Sequence, residues 1–569
     1  MEPLIEIAII FIAAAVLAYV AGLFKQPIIP AYILAGLILV LTGLVGTNTI
    51  ISTISMLGIA FLLFIVGMEI DLKRIKDVSF ISTVGGTLMC IILFGIGFLT
   101  GGFLGFSSLE AVYIGLVIAF SSTMIVLKIL GDRSELDTLH GRITIGILLV
   151  QDILAIIALF VLSTLENFTF SILAYMLVAL VFILIVLYLG NKYLFPIIFK
   201  YAARTEELLF ITALAVCLLF IGIFEYFGFS IAIGAFLAGV TLGNLPYNIE
   251  IISLTKPIRD FFAVIFFVAL GIQLNLQTIK ELWVPILILL GLIIIVKPIL
   301  TMFLISFFGY KKRPSYVIAV SLGQASEFSL ILLVLGLSLN HVSQNLFSLV
   351  ILLAIVSMTI TAYLLEYEQW IYNKISKYLN FLERVSENSG HLEYVPRKIK
   401  KEVILIGYDR LGYDIFKAIK NRVGKKFIVV DYNPEVIKEL VRKKVPCIYG
   451  DVGDVEILNR LNLKEANLIV STVPDKHDSM LLIKKAKEAN PKSMVFLTSM
   501  NVEDALDLYD AGADYVILPH FLGGERVSLM LEEVGTDIQK LLEHKLKHIK
   551  ELKHRRRIGH RHPKKHRHK

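Results

Sequence analysis

Three ionisable side chains stand at the midpoints of long apolar runs: Asp152 in LLVQDILAI, Lys297 in IIIVKPIL and Glu327 in SLGQASEFSLILL. A charge near the centre of a bilayer costs at least about 2.5–3.5 kcal/mol, so such residues mark function by default. A carboxylate in that setting binds a proton or, through its oxygens, a hard monovalent cation. Asp152 is read as that group; the bland alternative is a pair with Lys297 that only ties helices together. Lys297 is too far from either end of its run to reach an interface by snorkelling. It either neutralises Asp152 when no cation is bound or serves as a purely structural counter-charge. Pro298 beside it frees a backbone carbonyl and bends its helix. Glu225, Asp260 and Glu366 fall at run ends, where interfacial solvation accounts for them.

Two runs look broken at their centres. One carries Ser121-Ser122-Thr123, the other Gly323-Gln324-Ala325-Ser326-Glu327. Unwound backbone at mid-membrane is tolerated where it lines a site, and the half-helix ends can then hold ions. Ordinary small-residue packing between helices is the competing reading.

The elements that must position these residues follow from hydropathy. The chain has 569 residues, 56% hydrophobic and 18% charged, which excludes a single ordinary soluble domain. About 20 mostly apolar residues are needed for a spanning helix. Thirteen runs qualify, near 3–24, 28–46, 50–68, 80–105, 109–130, 141–163, 170–195, 206–226, 228–245, 259–275, 283–308, 315–338 and 344–366. Fifteen Lys and Arg lie in the loops after odd-numbered runs, against Lys280 alone in the others. The positive-inside rule then places the N-terminus outside and the last third in the cytoplasm of a multi-pass plasma-membrane protein. Thirteen spans also divide into two six-span units around a linking seventh, the second inverted relative to the first, which is a transporter architecture. The broken runs are the fifth and the twelfth, equivalent places in the two units.

FLLFIVGMEIDL (61–72), AFSSTMIVLKIL (119–130), LLVQDILAI (148–156), FFVALGIQLNL (266–276) and GQASEFSLIL (323–332) resemble the Kef-type monovalent cation:proton antiporters, over nearly all of 1–370. The resemblance implies a homodimeric antiporter with crossed broken helices and an elevator-like core. It implies that Asp152 binds the ion and that Lys297 pairs with it. Gln151 is similar to potassium-type members, where sodium-type relatives often carry Asp or Asn, and this favours K+ over Na+.

After Tyr363 the pattern changes. A polar, partly helical linker (367–400) leads into alternating strands and helices over 401–522, a doubly wound, Rossmann-like α/β domain. The first strand ends in Gly407-Tyr408-Asp409-Arg410-Leu411-Gly412, and Asp431 follows at the end of the second strand. Such a turn offers a helix N-terminus to phosphate and the acid to a ribose hydroxyl. Asp409 departs from the pattern, standing where a glycine would let the backbone approach a pyrophosphate. Its carboxylate opposes phosphate unless Arg410 or a cation compensates. An adenine nucleotide is the expected ligand; a scaffold that binds none is the alternative.

The stretch 402–520 is similar to the TrkA-N or RCK regulatory domains of potassium transport proteins, through IYGDVGD (448–454), LIVSTVPDKHDSMLLI (468–483) and GADYVILP (512–519). This resemblance implies dimerised gating domains that sense AMP-type ligands or NAD(H), with Asp451 at the adenosine pocket. In some relatives glutathione is sensed, and no residue here establishes that.

The net charge of +8 resides in the tail. The last thirty residues carry thirteen basic and two acidic side chains, while the body is slightly acidic. A helical region is expected over 523–553 and a disordered, basic, His-rich tail over 554–569, either solvated or drawn to an anionic leaflet. Neither a nucleic-acid partner nor an enzymatic activity is expected. A membrane-bound dehydrogenase lacks a substrate domain here. A ligand-gated potassium efflux channel is the functional alternative, but a K+ filter needs a TVGYG-like loop. The nearest approach, Thr83-Val84-Gly85-Gly86, lies inside a span.

Overall fold

The computed structural model describes residues 3–45, 49–69, 80–132, 136, 138–164, 190–227, 230–310, 312–376, 378–379, 393–395, 402–408, 411–424, 426–450, 452–453, 455–534, 545 and 549–550. It forms two compact units, residues 1–308 with 314–382, and residues 309–313 with 383–569.

The first unit is a helical membrane domain. Its helices are α1 (Pro3–Leu23), α2 (Ile28–Leu41), α3 (Thr49–Glu69), α4 (Gly86–Phe103), α5 (Ser108–Ala119), α6 (Thr123–Asp132), α7 (Leu139–Thr164), α8 (Phe195–Ala202), α9 (Glu206–Tyr226), α10 (Ile231–Gly243), α11 (Asn248–Ile272), α12 (Gln277–Glu281), α13 (Trp283–Gly291), α14 (Lys297–Phe307), α15 (Lys312–Ser321), α16 (Glu327–Ser338), α17 (Gln344–Glu366) and α18 (Glu368–Ile375). Side-chain caps start several of them. Thr205, Ser230 and Ser343 accept the N–H groups of Leu208, Ala232 and Leu346, satisfying donors that a helix start leaves free.

Seven helices among the described residues are long and apolar enough to cross a membrane, and shorter apolar ones accompany them. Each expected run coincides with a helix or helix pair except the seventh, most of which lies outside the described residues. The tenth run needs correction. Expected from 259, it belongs to a helix that begins at Asn248 and carries Pro257 and Arg259 inside it. Interior charge and proline had masked its first half from a hydropathy reading.

Two bundles make up this unit. In one, α3 packs on α10 and α11, α2 on α11, and α9 on α10. Glycines allow the backbones to touch. A Cβ on Gly36 would stand 2.0 Å from the Val268 carbonyl oxygen, and one on Gly239 2.0 Å from that of Phe64. In the other bundle α4 packs on α5 and α7, and α16 on α17. Irregular turns recur at matching places in the two halves of the chain. A π-turn precedes α4 (Ile81–Gly85) and another precedes α14 (Leu292–Val296), while the α5–α6 break corresponds to the α15–α16 break. The Thr83–Gly86 segment is that first π-turn and the start of α4, so its backbone is committed to helical bonding and forms no filter loop.

The second unit carries a seven-stranded sheet in the order β1-β4-β3-β2-β5-β6-β7. The strands are β1 (Glu393–Tyr394), β2 (Val403–Ile406), β3 (Phe427–Asp431), β4 (Cys447–Tyr449), β5 (Leu468–Ser471), β6 (Met494–Thr498) and β7 (Tyr515–Ile517). Strands β2 to β7 pair in parallel and β1 joins β4 antiparallel. That edge strand falls in the segment expected to be linker. Two residues are too short to show an alternating pattern. Ile404, Ile406, Ile428 and Val430 face one core, Val403, Leu405, Phe427 and Val429 the other, as expected of a sheet covered on both sides. The covering helices are α19 (Leu411–Val423), α20 (Pro434–Arg442), α21 (Val455–Arg460), α22 (Lys476–Ala489) and α23 (Val502–Asp510), and a largely exposed α24 (Pro519–Val534) follows the last strand. The strand order reverses between β2 and β5, where α/β sheets place ligands. Helix α24 crosses the expected boundary at 522, and the basic tail lies outside the described residues.

Candidate functional site

Both expected breaks are present. Residues 120–122 separate α5 from α6, and residues 322–326 separate α15 from α16. Serine restarts each helix. The Ser122 hydroxyl accepts the Ile125 N–H at 3.4 Å and the Ser326 hydroxyl accepts the Phe328 N–H at 3.1 Å. The two breaks touch. Ser121 Oγ donates to the Leu322 carbonyl at 2.9 Å, and Gln324 Nε2 donates to the Ser122 carbonyl at 3.4 Å. Helix α17 holds the second break from behind, with Thr361 Oγ1 donating to the Gly323 carbonyl and Ser357 Oγ accepting the Ala325 N–H.

The charges are sorted by helix polarity. Lys297 is fully buried, and its Nζ donates to the carbonyls of Phe120 and Gln324, each at 2.8 Å. Phe120 closes α5, and Gln324 lies just past α15, so the ammonium sits where two negative helix ends converge. The π-turn before Lys297 belongs to the same design. Pro298 has no N–H to give to the preceding turn, and a π-turn absorbs the mismatch. The two carboxylates occupy the opposite pole. Thr123, the first residue of α6, donates its hydroxyl to both oxygens of Asp152 at 3.1 Å. The next residue, Met124, donates its N–H to Glu327 Oε1 at 3.3 Å. Asp152 and Glu327 are thus held side by side at the positive end of one half-helix.

One sequence expectation changes here. Lys297 does not pair with Asp152; among the described residues its partners are the two carbonyls. Gln151 spans the first break, its Oε1 accepting the Ser121 N–H at 3.0 Å and its Nε2 donating to the Ala119 carbonyl at 3.3 Å. Its amide substitutes for backbone bonds that the interrupted helix has lost. Ser121, Ser122, Thr123, Gln151, Asp152, Lys297 and Glu327 therefore form one cluster. Its polar accounting does not close: Gln324 Oε1 and Glu327 Oε2 are buried without a hydrogen-bond partner among the described residues. Unmatched buried acceptors of this kind are costly unless a cation, proton or water joins them.

Arg259 was missed at the sequence level. It lies inside α11, only 8% exposed, with Nε and Nη2 both donating to Asp260 Oδ1, at 2.9 and 2.7 Å. Counting it among loop cations hid it.

In the second unit Gly407 adopts φ +83°, a conformation that favours glycine, and a Cβ on Gly412 would stand 2.0 Å from the Gly407 carbonyl oxygen. The helix α19, beginning at Leu411, thus presses directly on the turn. Both oxygens of Asp431 hold backbone, accepting the N–H groups of Tyr408 and Asn433 at 2.8 Å each. From the neighbouring strand, Thr472 Oγ1 is 3.2 Å from the carbonyls of Ile406 and Gly407. Tyr408 is buried against Phe416 and Tyr413, and that burial, with Tyr413 and Glu439 adding, raises its phenol above the ordinary value. The strand, tight turn and helix start fit a phosphate-facing loop. Asp409, Arg410 and Asp451 lie outside the described residues.

Residues 7–366 match the family described as sodium/hydrogen exchanger, transmembrane, and residues 403–519 match the TrkA-N domain. The chain is similar to the putative cation/proton antiporter YbaL of Escherichia coli (strain K12), 27% identical over 93% of this chain and 96% of the relative. It is also similar to the chloroplastic K(+) efflux antiporter 3 of Arabidopsis thaliana, 28% identical over 87% of this chain and 68% of that protein. The glutathione-regulated potassium-efflux system protein KefC of Enterobacter sp. (strain 638) is 27% identical over 94% of this chain and 86% of its own length.

Proposed function

Because the chain belongs to the sodium/hydrogen exchanger family and carries a TrkA-N domain, we propose that it exchanges K+, in preference to Na+, for H+ by alternating access. Cation:proton exchange is the activity that the relatives' names support. The observation that carries the reading is the cluster at the crossed breaks. Two carboxylates share one half-helix start, and buried oxygens of Gln324 and Glu327 lack hydrogen-bond partners among the described residues.

Asp152 is the exchanging group. Protonated, it is neutral and can cross the low-dielectric interior; deprotonated, it needs a cation beside it. Thr123 orients it, and Glu327 and Gln324 supply further oxygens to a dehydrated cation. Lys297 positions the site by neutralising the two negative helix ends, which keeps the breaks together throughout the cycle. Gln151 holds the first break open as a positioning residue.

The site alternates as the bundle of broken helices moves against the glycine-packed bundle. The protein works as a homodimer in the plasma membrane, with its N-terminus outside and the TrkA-N domain in the cytoplasm. An adenine nucleotide, AMP or NAD(H), binds at the Gly407 turn, with its phosphate at the α19 start and its ribose on Asp431, and gates exchange.

Proton flux in proteoliposomes, driven in parallel by K+, Na+ and Li+ gradients, tests this. The unaltered protein should respond most strongly to K+. Asp152→Asn should lower flux by at least about a hundredfold while melting normally, consistent with a general acid–base-sized contribution. Persistent cation-driven proton flux in Asp152→Asn would sink the mechanism.

A further inference from the structure

Lys25 adopts φ +55° just past the end of α1, where its N–H returns to the Gly22 carbonyl and the Gln26 N–H to the Ala21 carbonyl. Glycine is the ordinary residue at such a left-handed helix stop, and a lysine there is strained. Its side chain reaches the end of another helix: Nζ donates to Oε1 of Glu366, the last residue of α17, at 2.6 Å. The next residue, Gln26, donates Nε2 to the Phe24 carbonyl at 3.3 Å, which fixes the orientation of its amide. The remaining amide oxygen, Oε1, is buried with no hydrogen-bond partner among the described residues. These groups line a cavity of about 240 Å3, with Tyr363 and Tyr367 also on its wall. Both α1 and α17 bring their negative ends to it. Acceptors therefore outnumber the single ammonium. Leu23 and Phe24 extend the same wall as apolar surface, 67% and 64% exposed.

We propose that this cavity binds the headgroup of an aminophospholipid, a lipid that joins a phosphate to a primary ammonium. The ammonium takes Glu366 and the unmatched Gln26 oxygen, and the phosphate takes Lys25, so the headgroup enters the Lys25–Glu366 pair with each charge facing its opposite. Tyr363 and Tyr367 supply the phenols that commonly sit at headgroup level, and Leu23 and Phe24 meet the start of the acyl chains. Choline carries no N–H for the Gln26 oxygen, and a glycerol headgroup brings no positive charge to Glu366. The site lies on the helix that braces the second break, since Thr361 and Ser357 of α17 hold Gly323 and Ala325. A lipid at the end of α17 steadies that brace. Binding rests on the membrane placement of α1 and α17 and not on the exchange reading.

The test uses the full chain in detergent and follows its melting temperature as phosphatidylethanolamine is added. Phosphatidylcholine and phosphatidylglycerol with the same acyl chains, and free phosphoethanolamine, are run alongside. Phosphatidylethanolamine should raise the melting temperature by several degrees and the other three by much less. Glu366→Gln should raise the lipid concentration giving half the effect by about tenfold, as loss of a close charge partner does. Lys25→Gly should shift that midpoint about as far, while its lipid-free melting temperature stays level or rises because glycine relieves the strained stop. This second variant carries the test should Glu366→Gln not assemble. Equal stabilisation by the three lipids, or a midpoint unmoved in either variant, overturns the site. Stabilisation by phosphoethanolamine at the concentration where the lipid acts would make the ligand a soluble phosphate and overturn the lipid assignment.

Discussion

At the breaks of the membrane unit, Gln324 Oε1 and Glu327 Oε2 are buried with no hydrogen-bond partner among the described residues, whereas at the Gly407 turn of the second unit both Asp431 oxygens accept backbone N–H groups. Both places interrupt regular structure beside a helix start, and both gather acidic oxygens there. Under the proposed function they differ in what must enter. A transported ion needs oxygens that nothing else claims, because any bond broken on entry is charged against the passage of every ion. A regulatory ligand meets a turn already shaped for it, and that shape can be held by internal bonds that persist when the ligand leaves. In the membrane unit hydrogen bonds fix the groups around the breaks: Lys297 on two carbonyls, Gln151 across the first break, and Ser121 against Leu322.

Substitutions probe this division. Lys297→Met is expected to have the largest effect, because it strands two buried carbonyls at negative helix ends. Losing hydrogen bonds from a charged group costs about 1.5–3 kcal/mol each. The melting temperature should fall by several degrees, and K+/H+ exchange should be lost with it. A variant that melted normally and transported would place the rigid part of the site elsewhere. Asp431→Ala comes next. It frees the Tyr408 and Asn433 N–H groups, at about 1–3 kcal/mol for each buried donor left unsatisfied. It should abolish the stabilisation of the full chain by AMP or NADH while leaving ungated exchange intact. If nucleotide still stabilised the variant, the turn would not be the nucleotide's seat. Thr123→Val is the mildest. It removes one hydroxyl from Asp152, worth about 1 kcal/mol, so the apparent KM for K+ should rise about fivefold with little change in melting. A change in melting without a change in KM would make Thr123 part of the scaffold rather than of the ion's surroundings.

The charged residues were legible because the bilayer leaves few reasons to keep them. Asp152, Lys297 and Glu327 stand out in any hydropathy reading, and the breaks are marked by serine and glycine runs. Lys297 was harder, since a lysine and an aspartate in one membrane invite pairing. Only the converging carbonyls of Phe120 and Gln324 reveal a better partner for the ammonium. Arg259 was hidden by its own charge, which marked the edge of the tenth apolar run although the helix continues through it. Gln151 stood out beside Asp152 in the sequence, while its bracing of the break depends on residues about thirty positions away. The edge strand Glu393–Tyr394 carries no pattern, because two residues cannot display one.

The sequence by itself determined which charged groups lie at the centres of apolar runs, where the helices break, and that an alternating α/β domain with a glycine turn follows. These are local properties: solvation cost, backbone propensity and turn chemistry act on neighbouring residues. The partnerships were decided by tertiary structure alone. Helix polarity gathered Lys297 at two negative ends and the carboxylates at a positive start. Electrostatic interactions act through space, so they take their values only once distant segments have been brought together.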